Sequence, residues 1–357
     1  MKIKGTILLS ILALAVFCLE SSAAEPELLP LAFHPTKTIK VGGLEGERLA
    51  ANCNAADPST LLFRSGFEPD SATVPSKDPR RIEGVDHSVK PPNDWSKNLS
   101  VPNPGGFVIQ YQGGTPKDRI ARIVTDPTDP DNRVLHFWLK NPNVSIKKKN
   151  EKKGRIQANI YKNRNIYQMR QRCRVFLPKK DFEILRKWPE KFGWLTLAEF
   201  WNEPSWVGSD YPFRISINIT KSQGAGKPFV FGIHGQTKPK DNWQSIWDDH
   251  NSDFHIPVGE WLTLTYVFIE GGKNTGRLLF TVERENGEKH TIFDIHDCTR
   301  HPDQSSPNGL TSWNPLKLYT SQSTVDWVRN NGGTLQVYWD DLELHVNTNA
   351  ASQQIFD

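Results

Sequence analysis

The sequence predicts an all-β protein, a jelly-roll β-sandwich of two stacked antiparallel sheets formed by residues 61–346. More than ten segments read as strands, and several alternate apolar and polar residues with a period of two, as in Arg214-Ile215-Ser216-Ile217-Asn218-Ile219. Helical character is confined to one or two turns within 179–190, and no internal repeat or linker follows residue 105. A single large sandwich therefore accounts for most of the chain.

Residues 1–24 are predicted to be a secretory signal peptide. Lys2 and Lys4 precede an apolar run from Ile7 to Leu19, and Ser22-Ala23-Ala24 then offers small residues for cleavage. The run of about 13 residues is shorter than the roughly 20 residues that a membrane span needs, so a membrane anchor is the less favoured alternative. We expect a secreted or periplasmic protein with no membrane partner.

The strands are expected in order along the remaining chain. Residues 25–60 are predicted to be an irregular leader, residues 69–104 a loop and residues 347–357 a C-terminal tail. Glu285-Asn286-Gly287-Glu288 has the composition of a hairpin turn between two strands. The predicted strands are 61–63, 107–109, 120–124, 134–139, 155–161, 166–177, 194–201, 212–220, 228–234, 260–269, 277–284, 289–295, 315–320 and 334–346.

Charge and cysteine content exclude some function classes. The formal net charge of +4 is small for 357 residues, and the Lys147–Lys153 run, interrupted by Glu151, is explained by a solvated hairpin tip. We therefore expect no nucleic-acid partner and a monomer. Cys53, Cys173 and Cys298 remain after the signal, and one disulfide with one buried thiol is the simplest arrangement. Their spacing does not suggest zinc.

Several segments resemble a known group of proteins. Phe63–Glu68, Asp126-Pro127 before Val134-Leu135, and Val337–Leu344 are similar to segments of concanavalin A-like jelly rolls. Within that group the chain most resembles the alginate-lyase and heparin-lyase type of polysaccharide lyase, over about residues 61–346. The resemblance implies an anionic polysaccharide as partner and no cofactor for catalysis.

Three places carry the resemblance to the lyases. Arg155-Ile156-Gln157-Ala158-Asn159 stands where the family has an Arg-x-Glu-x-Arg strand. Glu199-Phe200-Trp201, followed by Asn202, is the nearest segment to the family's Gln-x-His strand. Leu316-Lys317-Leu318-Tyr319 is similar to a late strand that has a Lys and a catalytic Tyr, although the spacing from Lys to Tyr is shorter in this chain.

A lyase of this kind removes the proton on C5 of a uronate and expels the oxygen on C4. It must neutralise the uronate carboxylate, for which Arg, Asn, Gln or His is suited, and it must supply a base and an acid, for which Tyr or His is suited. Arg155, Gln157 and Asn159 share one face of a strand. Arg170 and Arg172 share a face of the following segment, so we expect two neighbouring strands to form a basic floor. An ordinary solvated outer face remains the alternative.

His234 ends an apolar strand and is a candidate base, with a structural histidine as the alternative. Tyr319 is a candidate acid or base, with a core or rim aromatic as the alternative. Trp201, Trp206, Trp243 and Trp247 fall near strand ends and are candidates for stacking on sugars. The predicted catalytic residues are His234, Tyr319, Arg155 and Gln157, and the predicted substrate-binding residues are Asn159, Arg170, Arg172, Glu199, Trp201, Asn202 and Lys317.

Two other functions stay open at this point. A glycoside hydrolase needs two carboxylates, and Glu199 and Glu203 would lie roughly 13 Å apart along a strand, beyond the roughly 5–9.5 Å that glycosidases use. A non-catalytic, lectin-like jelly roll would also explain the 12 tryptophans. Products with an unsaturated uronate would distinguish a lyase from both.

A structural Ca²⁺ site is predicted from Glu68, Asp340 and Asp341. Related jelly rolls often join their first and last strands through Ca²⁺; here Glu68 follows the predicted first strand, and Asp340 and Asp341 lie in the predicted last strand. Calcium takes six to eight oxygen ligands, so backbone carbonyls and water would have to complete the site. The alternative is that Asp340 and Asp341 are edge charges that discourage aggregation.

Overall fold

The structure is a computed structural model, and it describes residues 60–101, 104–111, 113–146, 151–202, 211–239, 242–305 and 308–347. The predicted signal peptide, leader and tail lie outside these residues, except at Thr60 and Asn347. The strands, in chain order, are β1 (Thr60–Ser65), β2 (Ser71–Pro75), β3 (Arg81–Asp86), β4 (Asn93–Asp94), β5 (Gly106–Tyr111), β6 (Arg119–Thr125), β7 (Arg133–Leu139), β8 (Val144–Ile146), β9 (Glu151–Tyr161), β10 (Gln168–Phe176), β11 (Phe192–Asn202), β12 (Phe213–Lys221), β13 (Phe229–Thr237), β14 (Gln244–Asn251), β15 (Trp261–Ile269), β16 (Arg277–Arg284), β17 (Lys289–Ile295), β18 (Ser312–Asn314), β19 (Lys317–Ser321) and β20 (Leu335–Asn347).

These strands form two antiparallel sheets, which confirms the predicted all-β jelly-roll sandwich. In the described residues, the smaller sheet has the order β17-β16-β15-β10-β20-β7-β6, with β1 also paired to β20. The larger sheet has the order β14-β13-β12-β11-β18-β9-β5-β3-β2. Within it, β18 and β19 lie one after the other between β11 and β9 and pair with both. β4 pairs with β3, and β8 pairs with β9.

The period-two alternation places one face of each sheet in a common apolar core. On β9, Ile156, Ala158 and Ile160 are buried in this core. On β15 of the opposite sheet, Leu262 and Leu264 belong to the same cluster. Each fully buried aliphatic side chain of this kind contributes about 1.5–3 kcal/mol to folding. The residues between them face outward, and on the larger sheet they include most of the predicted site.

Helices are short and lie between strands. The helix predicted within 179–190 is α1 (Lys179–Arg186). A second helix, α2 (Gln322–Asn330), was not predicted from the sequence. Ser321 caps its N-terminus by accepting a hydrogen bond from the backbone N–H of Thr324, a known start signal. No helix in the described part of the chain is long and apolar enough to cross a membrane.

Residues 69–104 are not the continuous loop that the sequence predicts. This stretch contains β2, β3, β4 and a 3-10 helix at Trp95–Asn98. Trp95 is fully buried and packs against Phe63, Phe67 and Phe107. A Cβ at Gly84 would lie 2.0 Å from the Trp95 ring, so only glycine lets β3 pass over it. A single tryptophan thus anchors a stretch that has few apolar residues.

Cys173 and Cys298 are both buried free thiols, so the disulfide that the cysteine count suggested does not form between them. Burial raises the pKa of Cys173 to about 12, which makes this thiol unreactive at neutral pH. Cys53 lies outside the described residues.

Candidate active site

The face of the larger sheet that turns away from the core is polar, and we call it the polar face. It is built by alternate residues of six strands whose other residues are buried apolar side chains, such as Ile156 on β9 and Ile217 on β12. Its central residues are Arg155, Gln157, Asn159, Thr196, Glu199, Trp201, Arg214, Ser216, Asn218, His234, Asn314, Lys317 and Tyr319. Most of the predicted catalytic and substrate-binding residues are therefore on one surface.

Strand register sets the arrangement of these residues across the sheet. His234 of β13 is opposite Ser216 of β12, and Ser216 is opposite Glu199 of β11. A second row runs from Thr196 of β11 to Tyr319 of β19 and on to Arg155 of β9. Tyr319 and Arg155 are thus direct cross-strand neighbours, although 164 positions separate them in the printed sequence.

A buried ion pair lies at the centre of the polar face. Lys317 Nζ contacts Glu199 Oε2, and only 1% of the Lys317 side chain is exposed. Glu199 also accepts a hydrogen bond from Trp201 Nε1 at 3.1 Å, and Arg214 Nη1 lies 3.5 Å from its Oε1. Burial lowers the pKa of Lys317 to about 7, against the attraction of Glu199. Burial alone raises the pKa of Glu199, but Lys317 and Arg214 outweigh burial and hold this pKa below its usual value.

Cations surround the half-buried ring of Tyr319. Arg155 Cζ and Lys317 Nζ each lie 5.0 Å from the ring centroid, and Lys153 Nζ lies 5.7 Å from it. Trp194 packs against the ring with a centroid separation of 4.8 Å. Positive groups at these distances stabilise negative charge on a phenolic oxygen or on a ligand bound beside it.

Side-chain amides form the floor between the charged groups. Asn159 Oδ1 accepts hydrogen bonds from Ser312 Oγ at 2.9 Å and from Asn314 Nδ2 at 3.0 Å. Gln157 Nε2 donates to Gln110 Oε1 at 3.0 Å. These bonds hold the floor rigid without help from a ligand, as a preorganised site requires. Gln157 and Asn159 lie at the positions predicted for them.

Some buried polar atoms on this face have no partner in the described structure. They are the Nε atoms of Arg155 and Arg214, and Oε1 of Gln157. Buried polar atoms without hydrogen bonds are uncommon and costly, and they concentrate where a ligand or water completes the site. Two guanidinium groups with spare donors suit a carboxylate better than a neutral group.

His234 lies on the polar face, as predicted, but not beside Tyr319. Burial lowers the pKa of His234, and the neighbouring His250 lowers it further, so the imidazole is neutral at pH 7. From β13 to β19 there are three strand spacings, or about 14 Å at about 4.8 Å each. His234 and Tyr319 therefore lie on separate parts of the polar face.

Arg170 and Arg172 do not line the polar face, so this prediction is wrong. They are on β10, which belongs to the smaller sheet, where Arg172 is opposite Glu343 and Arg170 is opposite His345. The chain crosses from one sheet to the other after β9, so strands that follow each other in sequence are not neighbours in space. Both side chains lie on the outward face of the opposite sheet, since Met169 before them and Cys173 after them are in the core, and Gln171 between them is fully buried.

Asn202, which was predicted to bind substrate, does not reach the polar face. It is 1% exposed, and its Nδ2 donates to Glu270 Oε1, Asn308 Oδ1 and the carbonyl of Gly309. The alternation of β11 directs Asn202 to the core side, opposite to Trp201. It joins the end of β11 to a loop rather than to a ligand.

The tryptophan candidates divide between the two faces. Trp201 and Trp243 meet at a centroid separation of 5.7 Å on the polar face. Trp247 packs against the core over Gly235 and donates to the carbonyl of Cys298, so it is structural. Trp206 lies outside the described residues.

The three carboxylates predicted to bind Ca²⁺ do not form a cluster. In the described part of the chain, no group of three or more His, Cys, Asp or Glu side chains is arranged to hold a metal ion. Asp340 is engaged instead by Asn132 Nδ2 at 3.1 Å and Arg174 Nη1 at 3.2 Å. The site made of Glu68, Asp340 and Asp341 is thus not formed, and calcium binding by this protein stays an untested prediction.

Sequence reasoning missed several residues of the site. Arg214, Asn218, Trp194 and Lys153 all stand on the polar face or beside Tyr319. Arg214 and Asn218 belong to the clearest alternating segment of the chain, so its polar positions were a usable signal. The sequence did not show which neighbouring strand those positions would meet.

No protein-family model matches the chain, and no curated protein matches it. Solved structures that match include a PL-14 alginate lyase from Aplysia kurodai, with 12% identity and a TM-score of 0.39 over 63% of this chain and 87% of that one. An endo-β-1,4-glucuronan lyase from Trichoderma reesei matches with 10% identity and a TM-score of 0.37, covering 68% and 96% of the two chains. An exolytic PL7 alginate lyase from Zobellia galactanivorans matches with 8% identity and a TM-score of 0.38, covering 64% and 88%.

These structures belong to the class that the sequence resembles, the jelly-roll polysaccharide lyases. The likeness is one of fold, and the side chains of the polar face are the basis of the activity proposed for this chain.

Proposed function

We propose that this protein is an exported polysaccharide lyase that cleaves a uronate-containing chain by β-elimination. The observation that carries the proposal is the contact of Tyr319 with Arg155 on a polar face rich in cations. Arg155 and Arg214, together with Lys317 in its protonated form, which is fully populated below a pKa of about 7, oppose one buried carboxylate, that of Glu199. This balance of charge favours a polyanion over a neutral glucan.

The proposed reaction begins with neutralisation of the uronate carboxylate by Arg155, which makes the proton on C5 more acidic. Tyr319, as its phenolate, takes that proton through its oxygen. The electron pair of the broken C5–H bond forms the C4–C5 double bond as the C4–O bond breaks. The phenol then returns a proton to the departing oxygen, which becomes the hydroxyl group of the released chain. No water is consumed.

Each neighbour of Tyr319 has a place in this scheme. The positive charges of Arg155, Lys317 and Lys153 favour the phenolate form and stabilise the anion that develops on the substrate. Glu199 holds Lys317 in position, and Gln157 adds an amide beside Arg155 on the same strand face. The reaction requires no cofactor, because both proton transfers use one side chain.

A glycoside hydrolase fits the polar face less well. Among the described residues of this face, Glu199 is the only buried carboxylate, and it is held by Lys317. Asp248 of β14 stands three strand spacings away, about 14 Å, whereas glycosidases place their two carboxylates roughly 5–9.5 Å apart. Glu203 lies outside the described residues.

Tyr319→Phe tests the proposal, because it removes the phenolic oxygen and keeps the ring. The full chain is incubated with alginate, glucuronan, pectate and heparin-type chains, and the absorbance of unsaturated uronate is recorded. We expect activity on at least one polymer, and Tyr319→Phe should reduce it by about 10²–10⁴-fold, the usual contribution of general acid–base catalysis.

Tyr338→Phe is the matched control. Tyr338 is on β20 of the other sheet, where its ring stacks on His136. The Tyr338→Phe variant should therefore be as active as the wild type. Full elimination activity in Tyr319→Phe, with an unchanged fold by circular dichroism, would contradict the assignment. Binding of a polymer without any unsaturated product would instead favour a glycan-binding module.

A further inference from the structure

Trp243 is an exposed aromatic residue that packs against Arg214 and Trp201 of the polar face. It is 41% exposed and stands immediately before β14, at the far end of the polar face from Tyr319. Its ring is fixed in place: Arg214 Cζ lies 3.9 Å from the ring centroid, and Trp201 meets it at 62°. An exposed apolar ring held this firmly is unusual in a surface segment and suits a flat ligand.

Arg214 is itself held by two polar contacts. Its Nη2 donates to Gln236 Oε1 at 2.5 Å, and its Nη1 faces Glu199 at 3.5 Å. The guanidinium therefore packs on the Trp243 ring, and the 41% exposure of Trp243 leaves part of the ring accessible to a ligand. Lys238 Nζ, over the ring and 5.8 Å from its centroid, adds a second positive charge. An aromatic face beside two cations matches a sugar ring that carries a carboxylate.

The distance between Trp243 and Tyr319 follows from the strand register. Trp201, which contacts Trp243, lies five positions after Thr196, which is opposite Tyr319. At roughly 3.3 Å per residue this separation is about 16–17 Å along β11. One sugar ring does not cover such a distance, whereas a short run of linked rings does.

We infer that the exposed part of Trp243, backed by Arg214, is a second uronate subsite that binds the same chain several rings away from Tyr319. The inference rests on the proposed function for the position of the reacting bond. A subsite at Trp243 makes binding depend on the length of the oligouronate. Long oligouronates reach both Trp243 and Tyr319, whereas short ones reach only one of the two. The site would favour internal cleavage of long chains, because both ends of the polar face then hold substrate.

Trp243→Ala, introduced into both the wild type and the inactive Tyr319→Phe variant, tests the subsite. Binding of saturated trisaccharides and hexasaccharides of mannuronate, guluronate and glucuronate is measured by calorimetry in the Tyr319→Phe background. At least one hexasaccharide should bind, and Trp243→Ala should weaken its binding by about tenfold, which equals about 1.4 kcal/mol. Trisaccharide binding at the Tyr319 end should change less than threefold, and Trp243→Phe should retain most of the affinity.

Trp138→Ala is the control, because Trp138 lies on the outward face of β7 in the other sheet. Hexasaccharide binding that is equal in the presence and absence of the Trp243 ring would overturn the subsite, even if Tyr319-dependent elimination is observed. A length-dependent loss of binding without elimination would support the subsite and reject the lyase. Failure of every hexasaccharide to bind would overturn the subsite as well.

Discussion

Lys317 and Glu199 are charged residues of the polar face that are almost completely withdrawn from water. Replacing such a pair by well-packed apolar residues is often neutral or stabilising, so stability alone is a weak reason for it. Its position suggests another role, since Lys317 Nζ also lies 5.0 Å from the Tyr319 ring centroid and 3.4 Å from Asn314 Oδ1. The pair brings a positive charge to Tyr319 and fixes it there.

Replacement of Arg155 should lower the rate of the reaction and leave the fold intact. We predict that Arg155→Ala reduces the rate of elimination by about 10²–10³-fold, the usual effect of removing a group that stabilises developing negative charge. The measurement is kcat/KM on the best uronate polymer, with urea unfolding as a check on the fold. Arg172→Ala, on the outward face of the other sheet, makes the same chemical change and should leave the rate unaltered. Equal rates for wild type and Arg155→Ala would remove Arg155 from the mechanism.

At the residue scale, the sequence predicts well on which face of a strand a side chain lies, but predicts poorly which residues are opposite it on the neighbouring strand. Alternation predicts Arg155 and Gln157 on one side of a strand, whereas Lys317 and Tyr319 are predicted from the similarity of their segment to a late strand of the lyases. Arg214 was not chosen, although it has the same alternation. Its contact with Glu199 depends on which residues of β11 and β12 are opposite each other, and alternation does not contain that information.

At the scale of secondary-structure elements, β20 contains an irregularity that determines the environment of Asp340. The register between β10 and β20 shifts at Cys173, between Arg172 and Arg174, and Asp341 has a positive φ of 47°. This shift is typical of a β-bulge, which redirects side chains on the bulged strand. Asp340 is thereby buried against Arg174, and Asp341 is left exposed.

The buried Asp340 predicts a specific dependence of stability on pH. Burial, followed by the nearby Asp341, raises the pKa of Asp340 from 3.8 to about 6. Between about pH 4 and pH 6 the folded state therefore holds a proton that the unfolded state lacks, so this carboxyl's contribution to the free energy of unfolding falls as the pH rises. That contribution is complete below about pH 4 and lost above about pH 6.

Asp340→Asn should lack this dependence, because an amide does not titrate. Relative to the variant, the wild type should gain free energy of unfolding as the pH is lowered from 6 to 4, measured by urea unfolding at several pH values. Asp131→Asn, in an exposed turn, serves as the control and should show a constant difference. A gap between wild type and Asp340→Asn that stays constant or narrows over this range would show that Asp340 titrates normally in the folded protein.

The order of strands explains the main error in the predicted site. Arg170 and Arg172 were assigned to the same floor as Arg155 because β9 and β10 are consecutive in the chain. Both segments alternate polar and apolar residues in the same way, so their patterns are compatible with either sheet. Only the crossing between sheets after β9 determines that they face opposite directions. A jelly roll makes such crossings repeatedly, and period-two patterns do not record them.

For the whole molecule, the sequence predicted the all-β sandwich and most of its strands. It did not predict β14, whose side chains are largely exposed, since an edge strand with no buried face has little apolar alternation. Nor did it predict the strands within 69–104, which depend on the single buried ring of Trp95. The fold was recoverable because the core is apolar and periodic, whereas the site depends on strand order and register.

The central claim is that the polar face breaks a glycosidic bond by elimination and not with water. The most direct measurement is the mass and absorbance of oligosaccharides released from a uronate polymer in oxygen-18-labelled water. Elimination predicts products with an unsaturated terminal uronate and no label introduced by the cleavage itself, after correction for exchange at the reducing end. Saturated products that carry one oxygen-18 atom per broken bond would contradict it and identify a hydrolase.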